Sequence, residues 1–350
     1  MIVAILLSAG TFLLTLYLSS LLKMSECDDM NGKRLRLILS TLLASVFTLA
    51  ITYTIIVVPW LIDRRLKIFF PDLFYSNEPE LMAEFVDHVR PIGYASFLLV
   101  VALIILGFVT NRKGMTSVGT MAFFLPTFAS FAYSMFFMAG LGILRAVWLP
   151  LIDIYPEILR FGDIVYVPVL PILIPMAFFG PDPFILWLSV TLAGLVIFLL
   201  GIVTWFYAKF EGRGVIDFWA YRYSRHPQYL GFFVWSYGAL LRALTHGIHI
   251  GEFNVLPSFP WVVSSLLVVC VALTEEIEML RRHDERYKEY RAKTPFMLPL
   301  PVFISRAMTA PARRFLGVDF PTNKREIAYT FVIYCVTFVL LSIPFILIFP

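Results

Sequence analysis

Apolar residues recur along the chain in runs of about 20, separated by shorter polar or charged stretches. A run of this length crosses the hydrocarbon core of a bilayer as one α-helix. The runs lie near residues 2–22, 37–61, 91–109, 117–144, 164–180, 184–208, 228–245, 259–276 and 327–349. The pattern predicts an all-α polytopic membrane protein with about eight transmembrane helices, or nine if every run crosses.

The run at 164–180 is the weakest candidate for a full span. It is short and contains three prolines, Pro168, Pro171 and Pro175. Proline removes a helix donor, and irregular backbone at membrane depth survives only where it packs against protein. We therefore expect a re-entrant or partial segment over 161–183, which leaves eight spans.

Composition agrees with the membrane class. Hydrophobic residues make up 59% of the chain and charged residues 15%, with a mean hydropathy of +0.82. The net charge of +4 is small and its basic residues lie between the apolar runs, which argues against a nucleic-acid surface. The three cysteines, Cys27, Cys270 and Cys335, are far apart and form no CxxC pair, so we expect neither a metal site nor a disulfide framework.

Basic residues are unevenly distributed among the loops. They concentrate around 33–36, 209–225 and 281–325, whereas the loop 246–258 contains neither Lys nor Arg. Under the positive-inside rule the three basic stretches are cytoplasmic, and the loop 246–258 and both termini lie outside.

By sequence the chain divides into five consecutive parts. They are N-terminal transmembrane helices without an assigned role (1–160), the Pro-rich segment (161–183), a membrane core (184–301), a basic cytoplasmic loop (302–326) and a last span (327–350). Within the first part, residues 63–90 mix acids, bases and prolines and predict an extramembrane loop, with or without a short helix.

A first polar cluster precedes the run at 228–245 and reads Ser224-Arg225-His226-Pro227-Gln228-Tyr229-Leu230-Gly231. Pro227 suits the first turn of a helix, where free backbone N–H groups beside Arg225 and His226 would attract a carboxylate. Tyr229 adds an aromatic face and a hydroxyl, and Gly231 would allow close approach to the helix backbone. A basic flank of a span explains Arg225 alone, but it does not explain the whole string.

A second polar cluster, Glu275-Glu276, ends the run at 259–276. Two adjacent carboxylates at this position are costly unless they reach water, a cation or a donor. Helical periodicity places Glu276 on one stripe with Leu280, His283, Tyr287 and Tyr290. Glu275 falls on a face with Arg282 and Arg286, so we expect Glu275 to be structural and Glu276 to face a ligand. A solvated amphipathic helix accounts for the other charges here, but poorly for this pair.

The two clusters are separated by one span, the short loop 246–258 and a second span. Adjacent antiparallel helices are the default for such a connection. We therefore expect the turn at Arg225–Gly231 to lie against Glu275 and Glu276.

Together the clusters resemble the membrane methyltransferases of the isoprenylcysteine carboxyl methyltransferase and phospholipid methyltransferase superfamily. That family shows Arg-His-Pro-x-Tyr-x-Gly, a span, Glu-Glu, and a helix with Tyr-x-x-Tyr and a downstream proline, which is Pro299 here. The resemblance covers residues 184–301. It departs where the family often has Phe-Gly before the first tyrosine and this chain has His283-Asp284.

The resemblance implies an S-adenosylmethionine-dependent methyltransferase with its site on the cytoplasmic face. The implied acceptor is lipophilic and comes from the membrane: a prenylcysteine-type carboxylate, a phospholipid or another small lipophile. The cofactor-binding residues would be Arg225, His226, Pro227, Tyr229, Gly231, Glu275, Glu276, Tyr287 and Tyr290. Glu276 and Arg225 are the expected catalytic residues, with Glu276 taking the proton if the acceptor is an amine.

Two other functions stay open. A membrane reductase of the sterol-reductase type would share the C-terminal architecture and use NADPH, but it would need more basic groups for the 2′-phosphate. A transporter or a non-enzymatic membrane protein is the other alternative. The near absence of ionisable residues from the first four apolar runs argues against transport.

Overall fold

The computed structural model of the protein describes residues 30–70, 79–127, 138–179, 184–245, 257–318 and 320–348. Throughout these residues the secondary structure is helical and contains no strand, which confirms the all-α class there. The α-helices are α1 (Met30–Leu66), α2 (Pro79–Val109), α3 (Lys113–Phe124), α4 (Leu149–Ile152), α5 (Leu170–Phe179), α6 (Phe184–Phe210), α7 (Ala220–Tyr223), α8 (Pro227–Thr245), α9 (Ser258–Lys293), α10 (Val302–Leu316) and α11 (Lys324–Ile348).

Six helical stretches among the described residues are long and apolar enough to cross a membrane. They are Gly32–Leu66, Ala83–Val109, Pro156–Pro175, Phe184–Phe210, Ser258–Lys293 and Lys324–Ile348. This supports a multi-pass membrane protein. The predicted count of eight stays a prediction, because the run at 2–22 lies outside the described residues.

One sequence prediction fails in this part of the chain. The run at 117–144 is not one helix: α3 ends at Phe124, near Pro126, and a separate 3₁₀ helix, Gly140–Trp148, leads into α4. Proline cannot continue a helix without losing a hydrogen bond, which accounts for the early end. Within 63–90, α1 continues to Leu66 and α2 begins at Pro79, where a proline is well tolerated, and the extramembrane placement of these residues stays a prediction.

The Pro-rich segment is broken into short pieces. Two 3₁₀ helices, Pro156–Arg160 and Asp163–Val169, precede α5. The buried carboxylate of Asp163 accepts a hydrogen bond of 2.6 Å from Ser258 Oγ and lies 3.0 Å from Arg160 Nε. Pairing of this kind satisfies a carboxylate that would otherwise be costly to bury. Its membrane placement as a re-entrant or partial segment stays a prediction.

The chain forms two compact units that interleave along the sequence. The first comprises the described parts of Met1–Val58, Leu188–Gly238 and Thr274–Thr309, and the second those of Pro59–Trp187, Ala239–Leu273 and Ala310–Pro350. The first has a core of Leu43, Ala44, Ile202, Phe206 and Phe210, contributed by α1 and α6. In the second, the fully buried Trp148 donates a hydrogen bond of 3.1 Å to the Phe123 carbonyl. The division into five consecutive parts stays a prediction.

Candidate functional site

Both polar clusters belong to the first unit. The short helix α7 ends at Tyr223, and Ser224 has extended backbone before α8 starts at Pro227, which confirms the predicted helix start. The backbone N–H of Arg225 donates a hydrogen bond of 3.1 Å to the carbonyl of Pro295. The turn before α8 is therefore tied to the chain that follows α9.

Glu276 is the centre of the buried part of the site. Its Oε2 lies 2.5 Å from Arg225 Nη1 and 3.6 Å from Arg291 Nε. Its Oε1 accepts a hydrogen bond of 2.8 Å from the Tyr287 hydroxyl and lies 3.1 Å from His226 Nε2. Both oxygens are thus occupied, and two guanidinium groups neutralise the charge. These contacts confirm that the two clusters lie against each other.

Arg225 has a carboxylate partner, but the partner is Glu276 and not a ligand. Its side chain is 1% exposed, and its guanidinium carbon lies 5.5 Å from the centre of the Phe296 ring. Burial lowers the pKa of Arg225, and the charge of Glu276 opposes that shift. The guanidinium stays protonated because its ordinary pKa is very high. The predicted role of Arg225 in binding a ligand stays a prediction, and in this structure its guanidinium pairs with Glu276.

Helix α9 breaks at Asp284, where φ is 30° and ψ is −110°. A straight helix would separate Glu276 and Tyr287, eleven residues apart, by about 16 Å along its axis, too far for these side chains to meet. The break turns the last part of α9 back so that Tyr287 and Arg291 reach Glu276. The prediction of one continuous helix was wrong at this residue, where the methyltransferases that the sequence resembles often have glycine.

Glu275 is more exposed than Glu276 and has fewer hydrogen-bond partners. Its side chain is 33% exposed, and its Oε1 accepts one hydrogen bond of 3.0 Å, from the Tyr229 hydroxyl. Its Oε2 lies 3.9 Å from His226 Nδ1. A carboxylate has about four acceptor positions, so Glu275 retains capacity for further donors.

The predicted pairing of Glu275 with Arg282 and Arg286 was wrong. Arg282 is exposed and lies 3.9 Å from Glu278, whereas the contacts of Glu275 come from the first turn of α8. Helical periodicity describes angles around one helix, but it does not show which neighbouring element meets each face.

Aromatic rings surround His226. Its ring stacks on Tyr229, with centroids 5.6 Å apart and an interplanar angle of 20°, and meets the edge of Phe296 at 5.1 Å. Phe296 and Arg291 were both missed from the sequence, because they follow the Tyr-x-x-Tyr motif without any periodic relation to it. Only their position in the downstream segment that ends at Pro299 could have pointed to them.

Tyr290 supports the site without touching either carboxylate. Its hydroxyl donates a hydrogen bond of 2.7 Å to the carbonyl of Tyr221, and the Tyr221 hydroxyl accepts one of 2.5 Å from Gln228. Burial raises the pKa of Tyr221, so this hydroxyl stays protonated at neutral pH. Tyr221 and Gln228 were not predicted. They hold α7 and the start of α8 in place behind the predicted residues.

Gly231 serves helix packing. A Cβ built at Gly231 would lie 2.5 Å from the backbone nitrogen of Phe198 in α6, and one built at Gly194 would lie 2.2 Å from the backbone nitrogen of Trp235 in α8. Small residues allow two membrane helices to approach this closely. The close approach expected at Gly231 is therefore made by α6.

The match to known sequences overlaps this site. Residues 164–294 match the profile of a family described as a protein of unknown function (DUF1295). It is a family of membrane proteins often related to steroid-reductase-like and methyltransferase-like folds, and the description assigns no function. No curated protein and no solved structure matches the chain. The more specific resemblance to isoprenylcysteine carboxyl methyltransferases stays a prediction.

Proposed function

We propose that the protein is an integral-membrane methyltransferase that uses S-adenosylmethionine and acts on a lipophilic acceptor, either a prenylcysteine-type carboxylate, a phospholipid or another small lipophile. The observation that carries this proposal is the difference between the two carboxylates. Glu276 is buried and neutralised by Arg225 and Arg291, whereas Glu275 is partly exposed and accepts one hydrogen bond, from Tyr229. Of the two carboxylates, Glu275 is thus the one with room for a ligand, and it lies beside an aromatic face.

Such a surface fits a cofactor with positive charge and hydroxyl donors. Glu275 would hold the ammonium group or the ribose hydroxyls through charge-assisted hydrogen bonds. The stacked rings of His226 and Tyr229 offer a face for the cationic sulfonium or for a heterocycle. A phosphate-bearing dinucleotide fits less well, because Arg225 and Arg291 are already paired with Glu276. In addition, the negative charge of Glu275 would repel a phosphate.

Bound S-adenosylmethionine supplies a methyl group on a sulfonium, which is already a good electrophile. The residues of the chain therefore contribute mainly alignment and exclusion of water. A carboxylate acceptor needs no base. For an amine acceptor, Glu276 would be a poor proton acceptor, because both of its oxygens are already engaged, and Glu275 is assigned to the cofactor in this proposal.

Ligand-dependent thermal stability tests the proposal. A ligand that binds only the native state raises the melting temperature. Purified protein should be stabilised by S-adenosylhomocysteine and not by NADPH at matched concentrations, with adenosine as a control for recognition of the nucleoside alone. Stabilisation by NADPH without stabilisation by S-adenosylhomocysteine would replace this proposal with a membrane reductase.

A further inference from the structure

Three aromatic rings pack together at the end of α6 in the first unit, and we call them the aromatic cluster. The centroid of the Tyr207 ring lies 4.8 Å from that of Trp219 and 6.0 Å from that of Phe218. The rings of Phe218 and Trp219 are 5.3 Å apart, and the guanidinium carbon of Arg213 lies 4.7 Å from the centre of the Phe218 ring. Tyr207 and Phe218 are partly buried, whereas Trp219 is 45% exposed. The indole of Trp219 is therefore the part of the cluster that is most open to a partner.

The backbone of Trp219 is strained. Its φ is 48° and its ψ is −121°, and the N–H of Tyr221 donates a hydrogen bond of 3.1 Å to the carbonyl of Phe218. These values are those of a type II′ turn with Trp219 at its first central position, where the positive φ favours glycine. A residue with a Cβ is unfavourable there, and strain of this kind is common at positions whose side chain has a function. The strain therefore raises the question of what the exposed indole contacts.

Tyr207 continues the exposed apolar side of α6. Leu192, Val196 and Leu200 are 52–55% exposed on this apolar, membrane-length helix, so they face the hydrocarbon of the bilayer. At about 100° per residue, these three residues and Tyr207 fall within a sector of about 80° around the helix axis. Tyr207 lies about 10 Å beyond Leu200 along that axis, and the exposed Lys209 follows two residues later. The aromatic cluster is therefore on the lipid-facing side of α6, at the level where charged residues begin.

We propose that Trp219 binds the bilayer surface, with its indole between the lipid headgroups and the top of the acyl chains beside α6, and that this contact offsets the strain of its backbone. Trp and Tyr concentrate at this depth because their rings are apolar and carry a polar N–H or O–H group. Lys209 supports the assignment of depth. Its ammonium group lies 5.3 Å from the centre of the Trp205 ring, and a lysine near the end of a span extends its charge to the headgroups. This inference is independent of methyl transfer.

The membrane contact would hold the segment that leads to the candidate site. Trp219 directly precedes α7, whose Tyr221 carbonyl accepts a hydrogen bond of 2.7 Å from the Tyr290 hydroxyl of α9. Val215, in the same segment, is buried against Tyr287 and Tyr290. Residues 211–223 are thus fixed to α9, and Trp219 would fix them to the bilayer as well.

The depth of Trp219 in a bilayer tests the inference. Full-length protein is reconstituted in phosphatidylcholine that carries bromine either near the top of its acyl chains or near their middle. The emission of Trp219 is the difference between the fluorescence of the wild type and that of Trp219→Phe, or of Trp219→Tyr if the first variant does not fold. We expect this emission to be largely lost with the shallow bromines, less affected by the deep ones and retained with aqueous iodide.

A buried tryptophan provides the control for quenching. The emission of Trp148, which is fully buried, is obtained in the same way from Trp148→Phe and should survive all three quenchers. Quenching of Trp219 by iodide without quenching by shallow bromines would overturn the inference, and so would equal quenching of Trp148 and Trp219 by the shallow bromines.

Two further variants test the strain. Trp219→Ala removes the ring and keeps a Cβ at a positive φ, whereas Trp219→Gly removes both the ring and the strain. We expect the glycine variant to melt at a higher temperature than the alanine variant in detergent. A glycine variant that melts lower would show that there is no strain for the membrane contact to offset, and would overturn the inference.

Discussion

The Tyr287 hydroxyl donates a hydrogen bond of 2.8 Å to Glu276, although the two residues lie eleven positions apart on one helical element. The contact exists because α9 breaks at Asp284 and returns toward its own middle. The same turn brings Arg291 to within 3.6 Å of Glu276. The buried carboxylate is therefore enclosed by its own helix on one side and by Arg225 and His226 on the other.

The backbone of Asp284 leads to a first prediction. Its φ of 30° is unfavourable for a residue with a Cβ, and glycine adopts such values at little cost. Asp284→Gly should stabilise the protein by about 1 kcal/mol by removing strain. The side chain is 73% exposed, and its partner among the described residues is the exposed Lys288, so little is lost with it.

Melting temperature in detergent is the measurement for Asp284→Gly. The matched control is Glu285→Gly at the next, helical position, which should destabilise by about 1 kcal/mol. If both glycine variants melt lower than the wild type by similar amounts, the break at Asp284 does not carry the strain assigned to it.

Close packing of α6 on α8 leads to a second prediction. Gly231→Ala would press a methyl group against the Phe198 backbone and should cost about 1–3 kcal/mol. Gly114→Ala in α3 is the control, because nothing lies within 4 Å of a Cβ there. Unfolding of both variants should show a loss for the first and no loss for the second. Equal stability of Gly231→Ala and the wild type would mean that α6 does not approach this closely.

The buried carboxylate leads to a third prediction. Glu276→Gln leaves Arg225 buried without its counter-charge, and breaking such a pair costs about 3–5 kcal/mol. We expect a large fall in melting temperature, or loss of folded protein on size-exclusion chromatography. Glu285→Gln removes an exposed charge paired with Lys288 and should change little. A Glu276→Gln protein as stable as the wild type would show that this ion pair contributes nothing net.

The meeting of the two clusters was predictable from the sequence, because a short connection between two spans favours adjacent antiparallel helices. The contact between Arg225 and Glu276 confirms it. The start of α8 at Pro227 was predictable for a similarly local reason, since proline is compatible with the first turn of a helix.

The contacts of the two carboxylates were not predictable in the same way. Periodicity placed Glu276 and Tyr287 on one stripe, but it assumed a straight helix, and neither glycine nor proline marks the break at Asp284. Periodicity also placed Glu275 on the same helix face as Arg282. The observed partner, Tyr229, lies on another helix, whose position cannot be predicted from the periodicity of α9. Both the break at Asp284 and the contact of Glu275 with Tyr229 depend on packing between residues that are distant in the sequence.

The hydroxyl of Tyr229 leads to a fourth prediction, which concerns the orientation of Glu275. Tyr229→Phe keeps the ring beside His226 and removes the hydrogen bond to Glu275. A single lost hydrogen bond to a charged group corresponds to about 1.5–3 kcal/mol. The melting temperature should therefore fall, because the bond is present in the ligand-free protein, and affinity for S-adenosylhomocysteine should fall as well, because Glu275 is no longer held in place. Unchanged affinity would show that Tyr229 does not orient the carboxylate for a ligand.

The most direct measurement of the central claim is the equilibrium affinity of S-adenosylhomocysteine for wild-type and Glu275→Gln protein, determined by calorimetric titration. The substitution keeps the size of the side chain and removes the charge of the partly exposed carboxylate. We predict measurable binding by the wild type and a loss of roughly ten- to a hundredfold in the variant, at a similar melting temperature. Absence of binding by folded wild-type protein, or equal affinity in the two proteins, would contradict a cofactor site at Glu275.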